Sequence, residues 1–264
     1  MTGKRKAMVL AAAALGAAVL AGCSDSTNPA VGNGQSVSLS FSGVRPPGVG
    51  GVMAVQATQA DSFVLVVGSD RLVITSAEVV MRKIELKRLG ISVNCDSVAD
   101  EDACEEFTIG AMLVSLPLSA GAEQAIAVPV DSGTYTELEF KIHKPGNDSV
   151  DQAFFATNPT WPQNTSIRVT GTFNGTPFTY TSPLDAEQEY TFNPPLVIDA
   201  SGSATNLTIR LDLSTWFRNG PSGPLVDPAT GNTGGANESL VKENIKNSIK
   251  AFEDEDHDGD ERDG

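Results

Sequence analysis

Histidine is almost missing from this chain, which has two in 264 residues, His143 and His257. Acid–base and nucleophilic chemistry near neutral pH most often rests on a positioned imidazole, so few such arrangements are open. His257 stands in an acidic terminal stretch with nothing to pack around it. His143 ends an alternating segment on its charged side, which predicts a solvated position. Gly-x-Ser-x-Gly, His-Glu-x-x-His and Walker-type phosphate loops are lacking as well. No enzyme is expected, with one opening left: a carboxylate-based hydrolase, whose paired acids need no fixed spacing in sequence. Cations are scarce too, 18 Lys+Arg against 33 Asp+Glu, for a net charge of −15. That balance excludes nucleic acid as a partner, because a basic footprint is required. It equally excludes electrostatic attraction to anionic lipid. The one strongly apolar run, residues 7–20, has 14 residues. As a helix it would rise roughly 21 Å, too little for a hydrocarbon core of about 30 Å.

That run is informative in another way. Lys4-Arg5-Lys6 precede it and Leu20-Ala21-Gly22-Cys23 close it. Three cations followed by a short apolar stretch form the pattern of an export signal. Small residues before a cut let the chain lie extended in a peptidase, and Cys23 supplies a thiol for thioether linkage to a lipid. Leu20 to Cys23 resembles the lipobox of bacterial lipoproteins at all four positions. The resemblance implies cleavage before Cys23, several acyl chains on that residue and stable membrane anchoring. Ser24 resembles the residue found after the cysteine in lipoproteins sent to an outer membrane, so the expected location is the cell envelope. Without residues 1–22 the chain keeps 15 Lys+Arg against 33 Asp+Glu, or −18. Residues 24–34 are mostly Ser, Asp, Asn, Pro and Gly with little to bury, as a tether should be.

Two cysteines remain. Cys95 and Cys104 flank eight mostly polar residues, and in an oxidising compartment they have one way to pair. A disulfide closing that loop is expected to contribute roughly 2.5–3 kcal/mol. A zinc site is the other use of two thiols, but further ligands of the usual kind are not nearby.

Turn residues recur every 8–15 positions with β-branched residues between them, the pattern of a mainly β fold, a sandwich or barrel. Thr136-Glu137-Leu138-Glu139-Phe140-Lys141-Ile142-His143 alternates polar and apolar side chains, as do residues 167–173 and 207–213. Period two puts one face on a core and the other in water, as in antiparallel sheets. Asn174-Gly175 is a favoured two-residue hairpin turn. Further strands are expected at 37–42, 63–67, 113–116, 125–130, 189–192 and 196–199. Residues 73–87 fit either a strand with a β-bulge between Met81 and Ile84 or a helix, and their Val and Ile content favours the strand. After a Gly/Pro-rich loop at 218–236, one helix is expected at 237–252. Asn237 would cap it and Val241, Ile245, Ile249 and Phe252 would form its apolar stripe. The stripe is expected to pack on the domain, with a partner-binding helix as the alternative.

The segment Pro129-Val130-Asp131-Ser132-Gly133-Thr134-Tyr135 leads into a strand. With the strands at 74–86 and 114–118, it resembles a class of bacterial lipoprotein domains with a transthyretin-like sandwich. The resemblance covers roughly residues 37–213. It implies a Greek-key antiparallel β-sandwich with a binding or structural role, and no catalytic residue. The expected organisation is a leader at 1–22, a lipidated tether at 23–36, a sandwich at 37–217, a loop at 218–236, a helix at 237–252 and an acidic tail at 253–264.

Two features could touch a ligand. Trp161, between Pro159 and Pro162, is the aromatic most expected to be exposed, where its ring could stack on a glycan. Phe154-Phe155 and Trp216-Phe217 fit a core equally well. The tail holds eight acids and one Arg. Asp254, Asp256, Asp258, Gly259 and Asp260 resemble the opening of an EF-hand loop, in which alternate acids converge on Ca²⁺ and a glycine turns the chain at the sixth position. The twelfth-position Glu of that loop has no counterpart, which limits the affinity to the millimolar end of the range. An extended, soluble acidic tail is the simpler expectation.

Overall fold

A computed structural model describes residues 35–44, 62–89, 104–108, 110–199, 205–254 and 256–259. Residues 1–34, including Cys23, lie outside them, as do Cys95 and Asp260. Cys104 is described in its backbone alone.

Twelve strands carry the described fold. In chain order they are β1 (Gln35–Ser42), β2 (Phe63–Val67), β3 (Asp70–Arg88), β4 (Cys104–Thr108), β5 (Met112–Ser115) and β6 (Glu123–Val130). There follow β7 (Gly133–Ile142), β8 (Ile167–Phe173), β9 (Thr176–Ser182), β10 (Ala186–Ile198), β11 (Thr205–Leu211) and β12 (Ile249–Glu253). They form a sandwich of a four-stranded sheet, β12-β11-β1-β6, and an eight-stranded sheet built on β3. The alternating segments do what period two requires. Leu138, Phe140 and Ile142 of β7 and Leu207, Ile209 and Leu211 of β11 enter one shared core with Leu39, Phe41, Leu72, Ile74 and Trp216.

Residues 70–88 settle as strand. β3 pairs with β2, β5 and β4 and also with β8 and β7, all antiparallel. The phase slip between Met81 and Ile84 is a bulge: pairing with β7 jumps between Arg82 and Glu85, and Lys83 takes φ 51°. Asn174 (φ 52°) and Gly175 (φ 83°) make the tight β8–β9 hairpin, and positive φ at both centres is what such a turn demands. The strands expected at 189–192 and 196–199 are one strand, β10, which ends at Ile198 and whose pairing with β7 is interrupted between Thr191 and Leu196. Pro194 and Pro195 stand in the gap, where neither can donate to a ladder.

The Pro129-to-Tyr135 segment carries the chain from one sheet to the other. Tyr135 is buried and its hydroxyl donates to Asp131 O at 2.8 Å, pinning the crossover as a tyrosine corner does in other sandwiches.

The sandwich is antiparallel as expected, with one parallel pair among the named strands: β1 with β11, Val37 opposite Thr205 to Ser42 opposite Arg210. Three expectations need correction. The C-terminal helix is shorter than expected: α3 spans Glu238–Asn247, after α1 (Ser149–Thr157) and a single turn, α2 (Leu213–Trp216). Ile249 and Phe252 lie on β12, antiparallel to β11, so the sandwich does not end at residue 217. Asn237 forms no side-chain cap on α3; its amide donates to Thr230 Oγ1. Helix α1 was not anticipated. Its cap is ordinary, with Asp148 accepting from Asp151 N at 2.8 Å, but Asp151 and Phe154 are its buried residues, too few to make an apolar stripe.

The expected 218–236 loop is ordered and covers an edge. It holds a 3₁₀ turn at Pro228–Gly231. Asn232 then docks on β9, accepting from Thr181 N and donating to Thr179 O. One side chain thus occupies the donor and acceptor that another strand would use, which protects an edge from aggregation. Val241 and Ile245 of α3 are buried, and Trp216 Nε1 donates to Ser248 Oγ just past that helix.

Candidate functional site

Every second residue of β1 and β11 faces away from the core, and these positions are polar: Ser38, Ser40 and Ser42, then Asn206, Thr208 and Arg210. Water would ordinarily satisfy them, yet all but Ser38 are buried. Their cover is the chain that follows β12. Asn206 donates through Nδ2 to Asp254 O and accepts from Ser40 Oγ at 2.8 Å. Thr208 donates to Asp254 Oδ2 at 2.8 Å, and Arg210 donates to Gly259 O at 3.0 Å while stacking over Phe252. Buried polar groups need such partners.

The cover is itself a tight turn. Asp254 is 0% exposed, and its carboxylate accepts from Asp258 N and Gly259 N, each at 3.1 Å. His257 O accepts from Ala122 N at 3.1 Å, tying the turn to the chain before β6. Gly259 has φ +78°, and a Cβ there would lie 2.8 Å from Ser42 Oγ and 3.2 Å from the Gly121 backbone. Glycine is therefore required at this position by backbone and space together.

The turn gathers three acids. Asp254, Asp256 and Asp258 each offer a carboxylate oxygen, and these oxygens all lie within 4.8 Å of one another. Asp254 is buried, whereas Asp256 and Asp258 are open to solvent. Positions one, three and five, with glycine at six, match the start of an EF-hand loop, and hydrogen bonds from the turn to the first acid hold that shape. Calcium takes six to eight oxygens. Three carboxylates would supply part of the set, and backbone carbonyls, water or acids beyond Gly259 would have to supply the rest. The setting differs from the expected one: the loop follows a strand rather than a helix, and residues 254 and 256–259 fold back on the small sheet instead of trailing as an extended tail. His257 belongs to that packed turn.

His143 also departs from expectation. It is buried, and Nε2 lies 2.8 Å and 3.0 Å from the two carboxylate oxygens of Asp151. Asp151, 1% exposed in α1, accepts as well from Gly146 N at 2.6 Å, and Arg82 beside the β3 bulge stands 3.8 Å away. Asp148 is held below the usual carboxylate range by the Asp151 backbone N–H at the helix start. The ring is held through Nε2, while His143 Nδ1 is buried with no hydrogen-bond partner among the described residues.

Trp161 is not a solvent-facing platform. It is 4% exposed, packed edge-to-face on Phe154 in a small cluster with Val80. Its indole donates to Thr165 O at 2.7 Å, and Arg168, held by Glu78, covers the ring at 4.6 Å. Trp216 and Phe217 are core as well.

No family model matches the chain, and no curated protein or solved structure matches it either.

Paired acids do occur, at Glu137 with Glu189 and Glu139 with Glu187, on the outer face of β7 and β10. Burial, then the neighbouring Glu187, push the Glu139 carboxyl up to about 8, and Glu137 beside Glu189 raises the Glu189 carboxyl. Sequence reasoning missed both this face and the Asp151–His143 lock. Asp148-Ser149-Val150-Asp151 was a readable helix start; the glutamate pairs had no local signal.

Proposed function

We propose that the chain is a lipid-anchored extracytoplasmic protein whose β-sandwich serves a binding or structural role at the cell envelope, with membrane attachment through Cys23. The sequence Leu20-Ala21-Gly22-Cys23, directly after a short apolar run, carries this reading. The described fold is compatible with it: β1 starts at Gln35, within the last two residues of the expected tether, and no helix among the described residues is long and apolar enough to cross a membrane. The Cys95–Cys104 bridge and the transthyretin-like ancestry of the sandwich are parts of the same proposal. The test is expression of the full chain in a bacterium beside Cys23→Ala. The parent is expected to partition into detergent with membranes, to carry acyl mass on Cys23 and to yield joined Cys95 and Cys104 peptides without reduction. Equal membrane partition of the variant would overturn the anchor, and free thiols in exported protein would overturn the bridge.

A second reading is favoured by the convergence of Asp254, Asp256 and Asp258: a calcium-responsive surface module. Calorimetric titration of the mature chain is expected to show saturable heat at about 10⁻⁴–10⁻³ M calcium. Asp256→Asn with Asp258→Asn, both exposed positions, should abolish that heat while leaving Asp254 to hold the turn. Equal heats from both proteins, or none from either, would sink this reading.

A further inference from the structure

The outward residues of β1 and β11 have the chemistry of a face built for water, yet they are covered. A sheet with one polar side usually shows that side to solvent. Here Ser40, Ser42, Asn206, Thr208 and Arg210 are buried, and residues 254 and 256–259 lie over them as a strap.

The strap leaves the sheet at an edge. β12 ends the order β12-β11-β1-β6, and Asp254 N donates to Asn206 O at 3.0 Å, one step beyond the β11–β12 ladder. From there the chain crosses to the far side, where Ala122 N, just before β6, donates to His257 O. No other strand has to move for the strap to lift.

Across the face four bonds run one way. The sheet side gives the donors: Asn206 Nδ2, Thr208 Oγ1, Arg210 Nη1 and Ala122 N. The strap gives the acceptors, in the same order Asp254 O, Asp254 Oδ2, Gly259 O and His257 O. Three of these acceptors are backbone carbonyls. The side chains that set the fit are the Asp254 carboxylate and the missing one at Gly259, where φ is +78° and a Cβ would stand 2.8 Å from Ser42 Oγ. The face therefore reads a turn of chain with an acid at its first position and glycine at its sixth.

Asp254, Asp256, His257, Asp258 and Gly259 bring no apolar side chain to the contact. Such a cover lacks the apolar burial that drives most lasting contacts, and water replaces each hydrogen bond at small net cost. The covered and the open face are thus both within reach of the folded protein.

We propose that the outer face of the small sheet is a recognition surface for this turn, filled here by the chain's own strap and, once that strap lifts, by the same segment of a second copy. The second copy carries the one segment whose fit to these donors the structure gives. The strap of the same chain competes at an effective concentration of roughly millimolar order, so exchange sets in when it is loosened or the copies are crowded.

The test uses full-length mature chains, with a chelator present throughout so that calcium binding is judged separately. Gly259→Ala spoils the strap and leaves the face intact, and Asp254→Ala does the same by another route. In each, amide exchange at Ala122, which holds the far end of the strap, is expected to rise at least about tenfold, the scale of one or two lost hydrogen bonds. Protection in β8 should stay level. Thr208→Val is the converse, a face short of one donor beside a sound strap. Mixed with either strap variant, it should sediment as a one-to-one pair that neither chain forms alone. A labelled peptide of residues 253–259 should bind the strap variants at least about tenfold tighter than the parent, whose face is filled. Parent-level exchange at Ala122 in both strap variants would overturn the proposal, as would mixtures that do not pair or a peptide held equally by all chains.

Discussion

Asp151→Ala is expected to destabilise the protein by roughly 3 kcal/mol or more, because each buried polar group left without its partner costs about 1–3 kcal/mol. The carboxylate it removes serves His143 Nε2, Gly146 N and Arg82 at once. Without it the imidazole is left buried with neither nitrogen bonded, since Nδ1 already has no partner. The start of α1 and the turn from β7 should then lose their common anchor. Urea unfolding would read the loss directly, and the melting temperature should fall by roughly 10 °C. Asp185→Asn is the matched control. Its pair with Lys141 is more than one-third exposed on both sides and should contribute under about 1 kcal/mol. If the two variants cost the same, the lock is not what holds that corner.

Gly171→Ala should be at least as damaging, for a steric reason alone. A Cβ at Gly171 would stand 1.9 Å from Val73 O and 3.0 Å from Ile74 Cα. Those atoms are backbone of β3, so no rotamer change can clear them. The pairing of β3 with β8 is already irregular here, shifting between Ile74 and Ser76, and the missing side chain is what allows the close approach. Overpacking generally costs about 1–3 kcal/mol; with two backbones in collision the expected loss lies at or beyond the upper end. Gly110→Ala meets nothing within 4 Å and should melt with the parent. A Gly171→Ala protein melting there too would show that β8 can move aside.

Local patterns were readable wherever one strand face meets the core. The alternation at 136–142, 167–173 and 207–213, the Asn174-Gly175 turn and the slip after Met81 each became the predicted element. Ile249 and Phe252 misled because a spacing of three or four fits a helical stripe, while a five-residue strand is too short to show its own period. Trp161 misled through its flanking prolines, which mark a loop but not its burial. The sites were less legible than the strands. Asp254, Asp256 and Asp258 could be read as convergent because they are neighbours in sequence. What they cover could not, since Asn206, Thr208 and Arg210 lie more than forty positions earlier. Glu85, Glu139 and Glu189 come from three strands and stand opposite one another only through register.

The parallel pairing of β1 with β11 has a consequence for the order of assembly. Ser38 and Asn206, hydrogen-bonded in the finished sheet, are 168 positions apart. Contacts so distant are slow to form, because the chain entropy of ring closure is spent before the contact returns anything. The first described strand, β1, must therefore wait with one edge unmatched until β11 has followed it. The small sheet is then closed from its two ends, β12 joining after β11, so that this half of the sandwich sets last.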